Sequence, residues 1–590
     1  MKEHKLFLLT AFIGSLLLSN LPDWTPGQAG LYAQETHLKF SQKTIEIKGT
    51  VNDVILNDIN NDGVQEILFQ QGRNLIIYTL QSTPTEANFI QKSIYRLPDD
   101  VCIFDIAKID PSAFGETSPS GGQKQSLIYY ISSKGISSLP IGLEIPGDKH
   151  QPVTSTLLFP TATIFRDEVF DVPLHKNFLF NLDKEPSDGR AGPPDRMTSR
   201  AGRRVMVMPD INKFRFVYIP MNPLPIGEEV RSEKIRLPMT SNIYWDNSSI
   251  FEPLITEASL PSFVFADLNN DKRNDFIVRE QNKIYGYSLR ESDGGKPDYK
   301  NNGCLLETPD CNSLLVKDIN DDGCADVVCA DNKEGIIYVY LNKYGVLPQT
   351  STSASGETSP SGVGQSNQSR YLSGFSDTPA QIIRTDSWIV KSDLIDLNND
   401  ALEDLVLVQM NKLGIIGGLQ AILAQTLEWE IAVYVARPPL GRDFASASPI
   451  KDASTLLYPK SPDYIRAIKL PFSLSYAGSL FVGKSSELKI QIPYLWNLEG
   501  DFNGDKIRDL LISGVKDENL EIYLGDKSQI FNRSLSASVN LLSTNKKFKL
   551  TGESYISDIN NDGKSDIIIP CEQKNPDKSV LHSYEILLSH

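Results

Sequence analysis

The chain has 590 residues, 40% of them hydrophobic and 22% charged, and carries a formal net charge of −16. The acid surplus repels phosphate and argues against a nucleic-acid partner. Six cysteines are too few for a disulfide scaffold in a chain this long, and nothing reads as a separate catalytic domain.

The N-terminus reads as a secretion signal over residues 1–33. Lys2 and Lys5 precede the apolar run Leu6 to Leu18, which is too short to span a bilayer comfortably. Gly27-Gln28-Ala29 or Leu31-Tyr32-Ala33 would precede cleavage. Both lie farther from the apolar run than is usual, so an uncleaved anchor is the alternative. No Cys follows the run, which argues against a lipoprotein, and no second apolar span follows. The expectation is an exported protein (periplasmic, cell-surface or secreted) that is not integral to a membrane. Next, His37 to Ile47 alternates apolar and polar residues, the period of a half-buried strand.

One acidic pattern then recurs six times: Asp, one residue, Asn, one residue, Asp, and a carboxylate four residues on. Counting from the first Asp, side-chain oxygens fall at positions 1, 3, 5 and 9, and position 7 can add its backbone carbonyl. The copies are Asp58, Asn60, Asp62, Val64 and Glu66; Asp267, Asn269, Asp271, Arg273 and Asp275; and Asp318, Asn320, Asp322, Cys324 and Asp326. The remaining three are Asp396, Asn398, Asp400, Leu402 and Asp404; Asp501, Asn503, Asp505, Ile507 and Asp509; and Asp558, Asn560, Asp562, Lys564 and Asp566. Hard oxygen donors in a tight turn suit Ca²⁺. Three carboxylates within nine residues repel one another without a cation. A single match would be as consistent with a polar turn; six with one spacing imply about six structural Ca²⁺. Six Ca²⁺ add twelve positive charges to the net −16, leaving −4, so most of the acidity is ligand charge.

The spacing also opens an EF-hand, which needs a Glu at position 12 and flanking helices. Position 12 here is Phe69, Val278, Cys329, Leu407, Ile512 or Ile569. The flanks are short β-branched runs such as Ile67-Leu68-Phe69 and Ile567-Ile568-Ile569, which read as strands. A further strand follows each motif, as in Leu75 to Tyr78 and Ile336 to Tyr340, and another precedes it. Two weaker anchors, Val101 to Asp105 and Val205 to Asp210 with Asn212, read as units whose loops have lost the metal. The eight anchors begin at 58, 105, 210, 267, 318, 396, 501 and 558, with short intervals near fifty residues. That period, with several strands per unit, predicts a propeller or a similar array.

Strand, Asp-x-Asn-x-Asp-Gly-x-x-Asp, strand resembles the FG-GAP or VCBS repeat of integrin-type calcium-binding β-propellers. The likeness covers nearly all of residues 34–590, and the metal loop carries most of it. The resemblance implies an all-β propeller of four-stranded blades with Ca²⁺ between a blade's first two strands. The anchor count favours eight blades, or seven if one weak anchor is decoration. Its fourth strand is missing from the last unit, so His37 to Ile47 is expected to supply it beside Tyr584 to Leu588 and close the ring.

Insertions are expected at 112–125, 186–204 and 349–370. The first and third share the heptapeptide Gly115 to Gly121, repeated as Gly356 to Gly362. Their Ser/Gly composition suits surface loops. The second gathers Arg190, Arg196, Arg200, Arg203 and Arg204, either a solvated loop or a basic docking patch. Cys304 and Cys311 flank a short loop and are the first choice for a disulfide; some cysteines can equally be small buried apolar residues. The histidines His4, His37, His150, His175, His582 and His590 show no zinc-ligand spacing. The leading reading is a monomeric binding or adhesion module for an extracellular or cell-surface protein or glycan. The alternative is a polysaccharide lyase or glycan hydrolase on the same Ca²⁺-stabilised scaffold, for which no catalytic residue is assignable.

Overall fold

β-Branched and aromatic residues fit a pleated, buried surface, and every regular element among the described residues is a strand. The structure is a computed structural model. It describes residues 38–590 except 61, 83–86, 109–125, 142–155, 161–170, 177, 182–203, 211–212, 220–231, 237–261, 281, 293–295, 312, 343–373, 413–425, 438–456, 472–495, 514–518, 529, 533–534, 541–548, 551–553 and 575–579. The expected signal at 1–33 therefore lies outside the described residues, as do the insertions at 112–125, 349–370 and 186–204 apart from Arg204. No helix among the described residues is long and apolar enough to cross a membrane.

Eight antiparallel sheets form the blades of a propeller. Blade 1 runs in order Asp53–Asn57, Glu66–Gln71, Asn74–Ser82 and Ala87–Arg96. Blades 4 to 7 repeat this order, beginning at Ser262–Ala266, Ser313–Lys317, Ser387–Ile395 and Trp496–Gly500. First strands of neighbouring blades meet, as between blades 4, 5 and 6, which places them innermost. The second strands carry unbroken apolar runs because neighbouring blades cover both their faces: Ile67, Leu68 and Phe69 are all fully buried. Among the described residues the core is accordingly eight hydrophobic clusters, each shared by two adjacent blades.

The ring closes through the N-terminal strand Phe40–Ile47. It lies antiparallel to Val580–Ser589, in register from Phe40 opposite Ser589 to Ile47 opposite His582. It is the outermost strand of blade 8, beyond Val580–Ser589 and Asp566–Lys574, the latter pairing with both Tyr555–Ser557 and the short Lys549–Leu550. Gln42 Nε2 and Thr44 Oγ1 each donate to Glu585 Oε2 over 2.8 Å. Ile45 and Ile47 are buried in the cluster shared with blade 1. An edge strand left unpaired is a template for association, and this pairing removes it.

The two weak anchors do mark blades, the second and third of eight, but neither Asp sits where the sequence pattern put it. Asp105 does not open a loop: it lies within the first strand of blade 2, Ile103–Lys108, opposite Tyr129. Its buried carboxylate accepts the Phe178 and Leu179 N–H groups at 3.1 and 3.2 Å, so the acid ties blade 2 to the start of blade 3. Asp210 ends the second strand of blade 3, Arg204–Asp210, and faces Lys213 across a hairpin. The first strand of that blade is Leu179–Asn181. The inserted segments 112–125 and 186–204 therefore fall in the first-to-second-strand connections of blades 2 and 3, the connections that carry acidic loops in the other six.

The expected Cys304–Cys311 pairing is also corrected. Cys304 is exposed on the outer strand Lys296–Glu307, opposite Tyr285. Cys311 turns inward, and its sulfur lies 3.1 Å from that of Cys329.

Removing residues 38–48 should free the edge of Val580–Ser589 and expose cluster apolar surface. The expected result is a melting temperature several degrees lower together with oligomers in size-exclusion chromatography. A truncated protein that stays monomeric with unchanged melting would contradict this closure.

Candidate metal centres in the acidic loops

Each acidic loop joins the first strand of its blade to the second, so all six emerge at one end of the ring. Their local structure repeats atom by atom. In blade 1, Asp58 Oδ1 accepts the Asp62 N–H at 3.0 Å and Oδ2 accepts that of Gly63 at 3.1 Å. Asn60 Oδ1 accepts the Asp62 N–H at 2.9 Å, and Asp62 Oδ1 accepts that of Val64 at 2.8 Å. Glu66 Oε2 reaches back to the Ile59 N–H at 2.7 Å. The same set recurs around Asp267, Asp318, Asp396, Asp501 and Asp558. Asp, Asn and Glu carboxyl and amide oxygens thus organise the turn that carries them.

Position 6 bends left-handed in all six loops, and position 4 in the five loops where it is described. Position 4 has positive φ at Asn270, Asp321, Asn399, Gly504 and Asn561, and position 6 at Gly63, Lys272, Gly323, Ala401, Lys506 and Gly563. For Lys272, Ala401 and Lys506 this costs roughly 1–2 kcal/mol each, held in place by the carboxylate bonds to their own N–H groups. Position 4 was not singled out from the sequence, although the recurrence of Asn, Asp or Gly there is the signal, because those residues tolerate this backbone.

The position-9 carboxylates are the buried anchors. Asp275, Asp326, Asp404, Asp509 and Asp566 are fully buried, and Glu66 nearly so. Four of them use their second oxygen on the end of the third strand: Asp326 accepts Asn342 N–H, Asp404 Ala436, Asp509 Gly525 and Asp566 Ser589, at 2.6–2.9 Å. Burial is the main cause that raises their pKa values, opposed by these N–H bonds and reinforced by the carboxylates at positions 1 and 5. Glu66, Asp404 and Asp566 are pushed up to about 7 and Asp509 to about 8, while Asp326 is raised well above the usual range.

Neighbouring loops are stitched together through position 8. Its N–H donates to the preceding blade's loop backbone in Gln65 to Ile559, Ala325 to Asp267, Arg508 to Leu397 and Ser565 to Asp501, over 2.7–3.0 Å. A Cβ on Gly323 would sit 2.4 Å from Asn270 Nδ2, and one on Gly63 would sit 2.8 Å from Asn561 Nδ2. Position 4 of one loop therefore packs on the position-6 glycine of the next. Outside the loops, His175 Nδ1 lies 2.8 Å from Asp53 Oδ2, where Leu174–His175 pairs parallel with the first strand of blade 2.

The structure thus brings each loop's Asp, Asn, Asp and final carboxylate into one turn, and turns their oxygens onto backbone N–H groups. No three carboxylates converge as a coordination shell among the described residues. The donor chemistry nevertheless fits a hard divalent cation: every side-chain donor is oxygen, and the neighbouring carboxylates add to burial in raising the position-9 acids. Asp58, Asn60, Asp62 and Glu66, with their five counterpart sets, are the residues that would hold it.

No family model matches the chain, and no curated protein matches it. Among solved structures, the WD40 domain of SCAP from fission yeast is similar over 93% of this chain and 98% of its own, with 9% identity and a TM-score of 0.35. A lectin from Agrocybe aegerita specific for non-reducing terminal N-acetylglucosamine is similar over 73% and 86%, with 12% identity and a TM-score of 0.33. At these scores the likenesses carry no weight, and the architecture rests on the strand pairing itself.

Two outcomes follow from the loops. A carboxylate whose folded pKa is raised stabilises the fold fully below its ordinary value near 4 and loses that contribution as pH climbs through 7 to 8. At about 1.4 kcal/mol per pH unit of displacement, each such group opposes folding by a few kcal/mol at pH 8. Protein dialysed free of divalent ions should therefore melt at a lower temperature at pH 8 than at pH 5.5, and added Ca²⁺ should abolish the difference. Melting that is flat across this window without Ca²⁺ would contradict the burial argument. Separately, Gly563→Ala meets nothing within 4 Å and should cost about 1 kcal/mol through its backbone alone. Gly323→Ala should cost more because Asn270 must move, and urea denaturation compares the two.

Proposed function

We propose that the chain is an exported, Ca²⁺-stabilised propeller that acts as a monomeric binding module for an extracellular protein or glycan. The observation that carries this reading is the arc of acidic loops at one end of the ring. Six turns with oxygen-only donors, tied to one another edge to edge, form a continuous surface whose shape a cation in each turn would fix. Ca²⁺ is structural in this reading. It offsets the repulsion among positions 1, 5 and 9 and so contributes directly to folding stability. Binding energy would come from exposed loop residues on a rigid frame. Export rests on the N-terminal apolar run, and the resemblance to FG-GAP repeats supports both the metal and an adhesive role.

The decisive measurement is metal content by mass spectrometry, run beside a glycan-array screen with and without chelator. About six Ca²⁺ per chain are expected, with array binding lost on chelation. One or two ions, or binding indifferent to chelation, would overturn the proposal. Asp322→Ala should lose one Ca²⁺. Asp105→Ala should leave the metal content unchanged yet lower the melting temperature, because it strands the Phe178 and Leu179 N–H groups, a cost of about 1–3 kcal/mol.

A further inference from the structure

Six cysteines are distributed very unevenly in their surroundings. Cys304 is exposed on an outer strand, while the other five are buried. Cys102 and Cys571 lie against backbone carbonyls, at 3.7 Å from Asp100 O and 3.8 Å from Ile569 O. Cys324 occupies position 7 of the blade-5 acidic loop. Cys311 and Cys329 face each other, sulfur to sulfur, at 3.1 Å.

We propose that Cys311 and Cys329 form a structural disulfide when the protein folds under oxidising conditions. Both side chains are buried, at 3% and 1% relative exposure, in the cluster shared by blades 4 and 5. The backbone holds the pair in place from both sides. Cys311 ends the connector that leaves the outer strand of blade 4, and its carbonyl accepts a hydrogen bond from the Arg279 guanidinium of that blade. Cys329 sits in the second strand of blade 5, opposite Leu314 and Tyr338. A disulfide has a sulfur–sulfur bond of about 2.05 Å, so joining them needs a shift of only about 1 Å. The contact with Cys329 lowers the Cys311 thiol, with Arg279 assisting, and the same contact raises Cys329. In the folded pair Cys311 is thus the more acidic thiol of the two.

The chemistry balances with a disulfide oxidant, such as oxidised glutathione. The Cys311 thiolate attacks one sulfur of the oxidant and expels a glutathione thiolate. Deprotonated Cys329 then attacks the Cys311 sulfur of the mixed disulfide and expels the second. Two electrons pass from the protein thiols to the oxidant, and two protons end on the released glutathione thiols. The bond joins residues 18 apart. The closed segment contains the first strand of blade 5 and its whole acidic loop, Asp318 to Asp326. The link therefore restricts the unfolded chain where the metal turn must form, and pins the blade 4 connector to blade 5.

The test unfolds the full-length chain under reducing conditions, refolds it in buffers of graded oxidised-to-reduced glutathione ratio, quenches by alkylation and maps peptides without reduction. A Cys311–Cys329 linked peptide is expected, with Cys304 recovered alkylated. Dithiothreitol should lower the melting temperature of the refolded protein by a few degrees, and Cys329→Ser should melt at that lower temperature with or without reductant. Alkylated Cys311 and Cys329 at every ratio, or a link from Cys311 to Cys304, would overturn the proposal. The peptide map decides even if the variant fails to fold.

Discussion

A carboxylate buried at the end of each acidic loop constrains the rest of this structure. It enters the second strand at a point that neighbouring blades cover completely, as the full burial of Asp326 and Asp404 records. A charged group there costs several kcal/mol unless it is hydrogen-bonded or neutralised. The chain meets that cost by spending the oxygens on backbone N–H groups from two directions: the start of the loop and, in four blades, the end of the third strand. The acid is therefore the rivet of its blade. The loop's left-handed residues, the hairpin it opens and the seam to the next blade are all held through it.

The sequence was most legible where physics acts locally and repeatedly. The Asp-x-Asn-x-Asp turn is specified by side-chain oxygens reaching N–H groups two to five residues away, so spacing alone located all six loops. The apolar runs after them announced strands buried on both faces. The N-terminal strand was readable because its period of two had no partner elsewhere and blade 8 lacked a strand. Legibility failed where an acid serves the long-range structure. Asp105 resembles a loop anchor in its local pattern, but its partners are Phe178 and Leu179, more than seventy residues away. Asp210 follows an apolar strand like the others do, yet that strand is the second of its blade, since three residues, Leu179–Asn181, suffice to make the first. Cys304 and Cys311 are neighbours in sequence, but strand direction sends one outward and the other inward.

Blades 2 and 3 consequently lack the acidic turn of the other six, and blade 2 adds the parallel strand Leu174–His175. Their four-stranded frames and shared clusters are intact, and what replaces the acidic turn is inserted chain, Ser/Gly-rich in one and Arg-rich in the other. The end of the ring that bears the loops is thus chemically lopsided: an arc of carboxylate turns interrupted over two adjacent blades. Such an interruption gives an otherwise repetitive rim a distinguishable direction, which identical blades around a circle would lack.

The pairing of Phe40–Ile47 with Val580–Ser589 also sets an order in time. The strand that completes the ring precedes every other blade strand in the chain, and its partner, Val580–Ser589, follows them all. Until Val580–Ser589 emerges, the growing array has one exposed edge that advances blade by blade, and the N-terminal strand has nothing to pair with. Blades can dock on their predecessors as they appear, because each cluster needs only two of them. Circular closure, however, waits for the Val580–Ser589 strand. A polypeptide halted before Val580 would carry nearly the whole architecture and still be open.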